Sequence, residues 1–240
     1  MPLSDENIEE RIHRHRTAEV TLAVRDARGR PLAGKAVTVR QVRHKFLFGS
    51  NAFGMYKCRT PADSAAYRRC FAGLLNFATL PFYWGGYEPT EGAPEADRLA
   101  AMARWCAAKG IRSKGHPLCW HEVCPAWLQG RPVAEVESVQ LARIARDVRG
   151  FAGRIDTWDV LNEAVIMPAA HWGPNPISRL CRARGRVGLL RRCFDRARKA
   201  NPGATLILND FDVTPDCERL LGRCIEAGVK FDVIGIQSHM

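Results

Sequence analysis

The stretch Trp158-Asp159-Val160-Leu161-Asn162-Glu163 is an apolar run that ends in an amide and a carboxylate. Read as a buried parallel strand, it places Asn162 and Glu163 at the strand's C-terminal tip, the end from which such proteins present their loops to ligands. Three more runs end in the same way. Residues 111–115 lead into Gly115-His116-Pro117-Leu118-Cys119-Trp120-His121, residues 205–209 into Asn209-Asp210-Phe211, and residues 231–236 into Gln237-Ser238-His239. Packing alone does not require polar clusters at four strand ends.

Outward from these tips, short apolar runs at 46–50, 77–80, 111–115, 155–161, 205–209 and 231–236 alternate with helical periodicity over 96–109, 133–148 and 217–227. Gly110 and Gly228 follow two of the helices as C-terminal stops. Alternation of this kind predicts parallel βα units. An open sheet collects its ligand at one switch point, whereas a closed barrel brings every strand tip round one mouth. Site residues spread over the third to sixth strands therefore predict an α/β fold of the (β/α)8 barrel type, with about six βα units present. Before it, residues 5–16 predict a short helix, and the alternating runs 19–25 and 36–42 flank the turn former Asp26-Ala27-Arg28-Gly29-Arg30-Pro31. This predicts a small antiparallel β element, with residues 1–44 forming an N-terminal region and 45–240 the barrel domain.

With 240 residues, 46% of them hydrophobic, the chain can bury a large core. No apolar run reaches the length of a membrane helix, and Ser4-Asp5-Glu6 begins no signal-peptide apolar region. The sequence thus reads as carrying neither a membrane span nor an export address, and the compartment stays unassigned. Nine cysteines with no Cys-x-x-Cys pair read as buried thiols in a reducing space. Cys119 and Cys124 match no zinc spacing. The net charge of +11 is concentrated in the arginine-rich residues 179–199, where Val187, Leu190, Phe194 and Ala197 recur at nearly helical spacing. That pattern reads as one amphipathic helix with a solvated basic face. It lacks the aromatic interleaving of a nucleic-acid surface, so neither nucleic acid nor membrane is the expected partner.

Glycoside hydrolysis fits the residue types at the tips. It needs one carboxyl to protonate the leaving oxygen and a second to attack the anomeric carbon or activate water. Glu163 is the candidate acid, and crowding by Trp120, Trp158 and a second carboxylate would favour its carrying a proton near neutral pH. Asn162 is placed for a sugar hydroxyl. Trp84, Trp120 and Trp127 offer flat faces for pyranose rings, and His116, Gln237 and His239 suit hydroxyl recognition. Asp210 reads as a cap for the loop after the fifth strand, and Glu88 as a turn-ordering residue.

Taken together, the motifs resemble those of glycoside hydrolase family 10, the endo-1,4-β-xylanases, across nearly the whole chain. Gly115-His116 through Trp120-His121 is similar to the family's Gly-His-x-Leu-x-Trp-His, and Trp158 to Glu163 to its Trp-Asp-Val-x-Asn-Glu. Asn209-Asp210-Phe211 is similar to Asn-Asp-Tyr, and Gly235 to His239 to Gly-x-Gln-x-His. The resemblance implies retaining hydrolysis of β-1,4-xylan without a cofactor, Glu163 being the general acid/base. His116, Trp120, Asn162, Asn209, Gln237 and His239 would contact a xylan-like polysaccharide or oligosaccharide, and Trp84 matches the Trp of the family's Lys-Trp element.

Two departures accompany this. Tyr83 stands where the family has Lys, in Thr79-Leu80-Pro81-Phe82-Tyr83-Trp84. The family's nucleophile, a Glu ending the seventh strand, has no counterpart in these residues. The expectation is a piece of a longer enzyme that is inactive and poorly stable by itself, with its first and sixth strands as open edges. Rival readings are a carbohydrate-binding protein without turnover, a metal-dependent hydrolase built on His116, His121, Glu122 and His239, and a nucleic-acid binder resting on charge alone.

Overall fold

The computed structural model describes residues 5–42, 44–169 and 173–238. The chain forms two compact units, Met1–Lys45 and Phe46–Met240.

The first unit opens with α1 (Asp5–Arg16), where Arg14 and Glu10 pair across one turn. The predicted turn is present. Asp26 Oδ1 accepts from the backbone N–H groups of Arg28 and Arg30 at 2.8 and 2.9 Å, and Gly29 takes φ 78°. The predicted strands are not. Among the described residues of this unit one antiparallel bridge forms, between Arg25 and Pro31, and residues 19–24 and 36–42 carry no ladder. A two-stranded ribbon is marginal unless its apolar face is packed, and that face is exposed here, Val20 at 74% and Val39 at 69%.

The second unit is a six-stranded parallel sheet in sequence order: β1 (Gly49–Asn51), β2 (Phe77–Pro81), β3 (Arg112–His116), β4 (Thr157–Asn162), β5 (Thr205–Asp210) and β6 (Val233–Ile236). With helices between the strands, this is the partial (β/α)8 barrel that the alternation predicted. Among the described residues β1 and β6 each have a single neighbour. A helix the sequence reading passes over, α2 (Pro61–Leu74), follows β1. Its start signal is nonetheless there, since Thr60 and Asp63 make a reciprocal capping box around Pro61. After β2 come α3 (Trp84–Tyr87) and α4 (Ala96–Ala108); α5 (Val133–Gly150) lies between β3 and β4. The arginine-rich segment is two helices, α6 (Pro176–Arg184) and α7 (Arg186–Ala200), rather than one. Gly185 separates them at φ 70°, ψ 157°, a conformation that only glycine adopts readily. Its basic face is also partly paired. Arg184 and Arg192 both meet Glu137 of α5, and Arg198 meets Asp232. α8 (Pro215–Glu226) leads to β6.

Between sheet and helices lies an aromatic core. Phe82 contacts Trp158 and Phe151 edge-on at 4.9 and 5.1 Å, and Leu99, Met102, Ile144, Leu190 and Phe194 belong to the same buried cluster. Each such side chain contributes roughly 1.5–3 kcal/mol when fully buried. Gly115 belongs to this packing, because a Cβ there would fall on the Trp158 ring of the neighbouring strand. Arg143, buried in α5, reaches under the strand tips and donates to the carbonyl oxygens of Leu118, Phe82 and Pro117. Its guanidinium also lies 5.0 Å from the Trp84 ring. One buried cation thus ties the ends of β2 and β3 to the helix behind them.

Candidate active site

Residues from all six strands or their following loops line a cleft of about 380 Å³ at the sheet's C-terminal edge: Asn51, Thr79, Tyr83, Lys114, His116, Trp120, Asn162, Glu163, Asn209, Ile236 and Gln237. Two local features of β4 set the geometry. Its register against β5 shifts between Asp159 and Leu161, a bulge that re-aims the residues beyond it. Glu163 then takes φ 58°, left-handed backbone that an ordinary residue adopts only under constraint. The constraint is visible, since the Glu163 N–H donates to Asn209 O at 2.8 Å.

The Glu163 carboxylate is almost buried and accepts three side-chain hydrogen bonds. Trp120 Nε1 donates to Oε2 at 2.8 Å, while Asn162 Nδ2 and Gln237 Nε2 donate to Oε1 at 3.0 and 3.2 Å. Asn162 is fixed in turn, its Oδ1 accepting from Asn209 Nδ2 at 2.6 Å and Gln237 Nε2 at 3.1 Å. On the other side His116 Nδ1 and Lys114 Nζ both lie 2.7 Å from Oδ2 of the fully buried Asp159. Tyr83 packs edge-on to His116 at 5.3 Å and obliquely on Trp120 at 5.6 Å. Burial, with the charges of Glu163 and Asp159, pushes the Tyr83 phenol up, so it remains a hydroxyl donor at neutral pH. Asp210 caps the loops as expected, accepting from the N–H groups of Val165 and Asp212 at 3.0 and 3.1 Å. Burial raises its carboxyl above the usual range despite those bonds.

Of the residues singled out in the sequence, Glu163, Asn162, His116, Trp120, Asn209 and Gln237 come together in this cleft. His239 lies outside the described residues. Trp84 is a correction. It is 3% exposed and does not line the cleft, because α3 turns its indole inward, where Nε1 donates to Glu88 Oε2 at 3.0 Å. Trp127 packs edge-on against it at 5.8 Å and donates to Glu88 O, so it too is structural. Trp158 does not crowd Glu163, being packed on Phe82 with its Nε1 bonded to Ile155 O. Glu88 does more than order a turn. It holds Arg146 of α5 through two bonds of 2.8 and 2.9 Å, which with Trp84 and the Gly92 N–H bring its carboxyl below the usual range against the opposing effect of burial. Lys114, Asp159, Tyr83, Thr79 and Asn51 escaped the sequence reading as site residues. For Lys114 a signal existed: two positions before His116 on a strand, it shares that residue's face.

The sequence model of glycosyl hydrolase family 10 matches residues 81–240, two thirds of the chain. An endo-1,4-beta-xylanase/feruloyl esterase of Xylanibacter ruminicola is 27% identical over 78% of this chain and 28% of its own length. The anti-sigma-I factor RsgI6 of Acetivibrio thermocellus is 25% identical over 96% of this chain and 29% of its own. Xylanase 10B of Thermotoga maritima superposes with a TM-score of 0.67 at 24% identity, over 80% of this chain and 60% of that one. The chain thus spans under a third of these two relatives and three fifths of that barrel. The family match begins at the end of β2 and takes in every later strand tip that lines the cleft; the chain belongs to glycosyl hydrolase family 10.

Proposed function

We propose that this chain carries the acid/base half of an endo-1,4-β-xylanase-like glycosidase and binds β-1,4-linked xylo-oligosaccharides in the cleft around Glu163. The supporting observation is the carboxyl itself, held in left-handed backbone at a strand tip and oriented by Trp120, Asn162 and Gln237. A group so fixed can deliver a proton to a glycosidic oxygen without reorganising. Trp120, with Tyr83 beside it, offers the apolar face for a sugar ring, and His116, Asn162, Asn209 and Gln237 meet its hydroxyls.

Retaining hydrolysis needs a second carboxyl about 5–5.5 Å from the first. Among the described residues Glu163 is the only carboxylate lining the cleft. The proposed activity of these 240 residues is therefore sugar binding without turnover, with hydrolysis belonging to a protein that also supplies the nucleophile. Calorimetric titration of the purified chain with xylotetraose, alongside a reducing-sugar assay on xylan, tests this. Binding without sugar release is expected. Release of reducing sugar that disappears in Glu163→Gln would overturn the binding-only reading, and absence of any binding would overturn the ligand class.

A further inference from the structure

The cleft holds one ammonium group that the proposed chemistry does not use. Lys114 leaves β3 with its side chain 18% exposed, and its Nζ sits 2.7 Å from Oδ2 of Asp159, which is inaccessible to solvent. The same oxygen bonds His116 Nδ1 at 2.7 Å, while Asp159 Oδ1 is buried with no hydrogen-bond partner among the described residues. Lys114 is thus anchored at one point. An ammonium has three donors, and one suffices for Asp159. The remaining two belong to a side chain that lines the cleft.

Its neighbours define what those donors meet. Strand register puts Lys114 beside Thr79, and Thr79 beside Asn51, so the three form one polar row across β3, β2 and β1. All three line the cleft, as does the Tyr83 phenol. The carboxylate and amides of Glu163, Asn162, Asn209 and Gln237 occupy the opposite half, on β4 to β6. A ligand lying across the mouth would therefore meet a hydroxyl-reading wall on each side.

Resting on the sugar-binding reading above, we propose that Lys114 is a specificity-determining residue that donates to hydroxyls of a neutral sugar and disfavours acidic ones. The charge arrangement argues for neutral ligands. Asp159 neutralises the ammonium at contact distance, so Lys114 brings direction rather than net positive charge. Among the described residues lining the cleft no other lysine or arginine is present to receive a carboxylate on the ligand. A lysine free of such a partner would have the opposite preference.

The test is titration of the purified chain with xylotriose, a set of its monodeoxy analogues and a glucuronic-acid-substituted xylo-oligosaccharide. Lys114→Met is expected to weaken xylotriose binding about tenfold, the scale of a lost charge-assisted hydrogen bond. Lys114→Arg, which keeps the donors, should stay within a few-fold of the parent. The decisive comparison is with the deoxy set. One analogue should bind the parent chain and Lys114→Met equally, because the hydroxyl read by Lys114 is already gone.

A merely structural lysine would instead weaken every analogue by the same factor, and that outcome overturns the proposal. So does unchanged xylotriose binding in Lys114→Met, or tighter binding of the acidic oligosaccharide than of xylotriose by the parent chain. Failure of the parent to bind any of these sugars overturns the proposed function and this inference with it. Binding by the parent with no effect at Lys114 overturns the inference alone.

Discussion

At the scale of single residues, what matters is how each side chain's neighbours restrict it. Gly115 is set by the indole of Trp158, for a methyl group at that position has nowhere to go. Replacing it with Ala is expected to cost about 1–3 kcal/mol, as overpacking of a filled core does. Urea unfolding followed by tryptophan fluorescence would measure it, and an unchanged midpoint would mean that Trp158 is free to yield. The same scale shows which site residues the sequence displayed. Glu163 and Asn162 stood out because they end an apolar strand, and His116 because it opens the Gly-His-x-Leu-x-Trp-His pattern, both properties of neighbours in sequence. Asp159 did not. It lies inside the strand, and its role comes from His116 and Lys114 on the adjacent strand, more than forty residues away.

Elements are joined by ion pairs whose strength depends on pH. The Glu88–Arg146 pair ties the segment after α3 to α5, and Glu88 is nearly buried while Arg146 is 39% exposed. Because the Glu88 carboxyl is lowered from 4.5 in the folded chain, the unfolded state binds its proton first as pH falls. Its contribution is therefore fully present above that ordinary value and is lost as pH drops through the depressed one. Glu88→Gln is expected to cost about 1–3 kcal/mol at pH 7, and the difference from the parent should shrink towards zero in strong acid. Thermal unfolding of both chains between neutral and acid pH reads this directly, and a gap that does not change with pH would show that packing, not charge, holds the segment. At this scale the sequence was less explicit. It marked α4, α5 and α8 by their periodicity, but it did not show that Gly185 would divide the arginine-rich helix, nor that α3 would turn Trp84 away from the cleft.

At the largest scale, the six-stranded sheet of the second unit is open at β6 among the described residues. Val233, Ile234 and Ile236 of β6 are 41%, 48% and 60% exposed, and Phe211 and Val213 beside them are 40% and 69% exposed. A mainly apolar groove of about 240 Å³ runs between β6 and α8, lined by Val165, Leu208, Leu220, Leu221 and Ile234 among others. Unpaired edges with apolar faces template association. The purified chain is expected to self-associate at micromolar concentration and to bind a hydrophobic dye, and Ile234→Lys to reduce both, as measured by sedimentation velocity and dye fluorescence. A monodisperse monomer with no dye binding would contradict the exposure described for β6.

The sequence by itself determined the six strands of the barrel unit in their order, the helices α4, α5 and α8 between them, the parallel alternation and the polar strand tips, because these follow from hydrophobic period and turn chemistry within a few residues. It also carried the family signature. Tertiary structure alone decided which tips share a cleft, which of the three offered indoles faces it and how Lys114 is anchored. It also decided that the alternating residues of the first unit form no ladder. Those outcomes depend on strand register, on a bulge in β4 and on contacts between residues far apart in the chain, and no local pattern encodes such pairings.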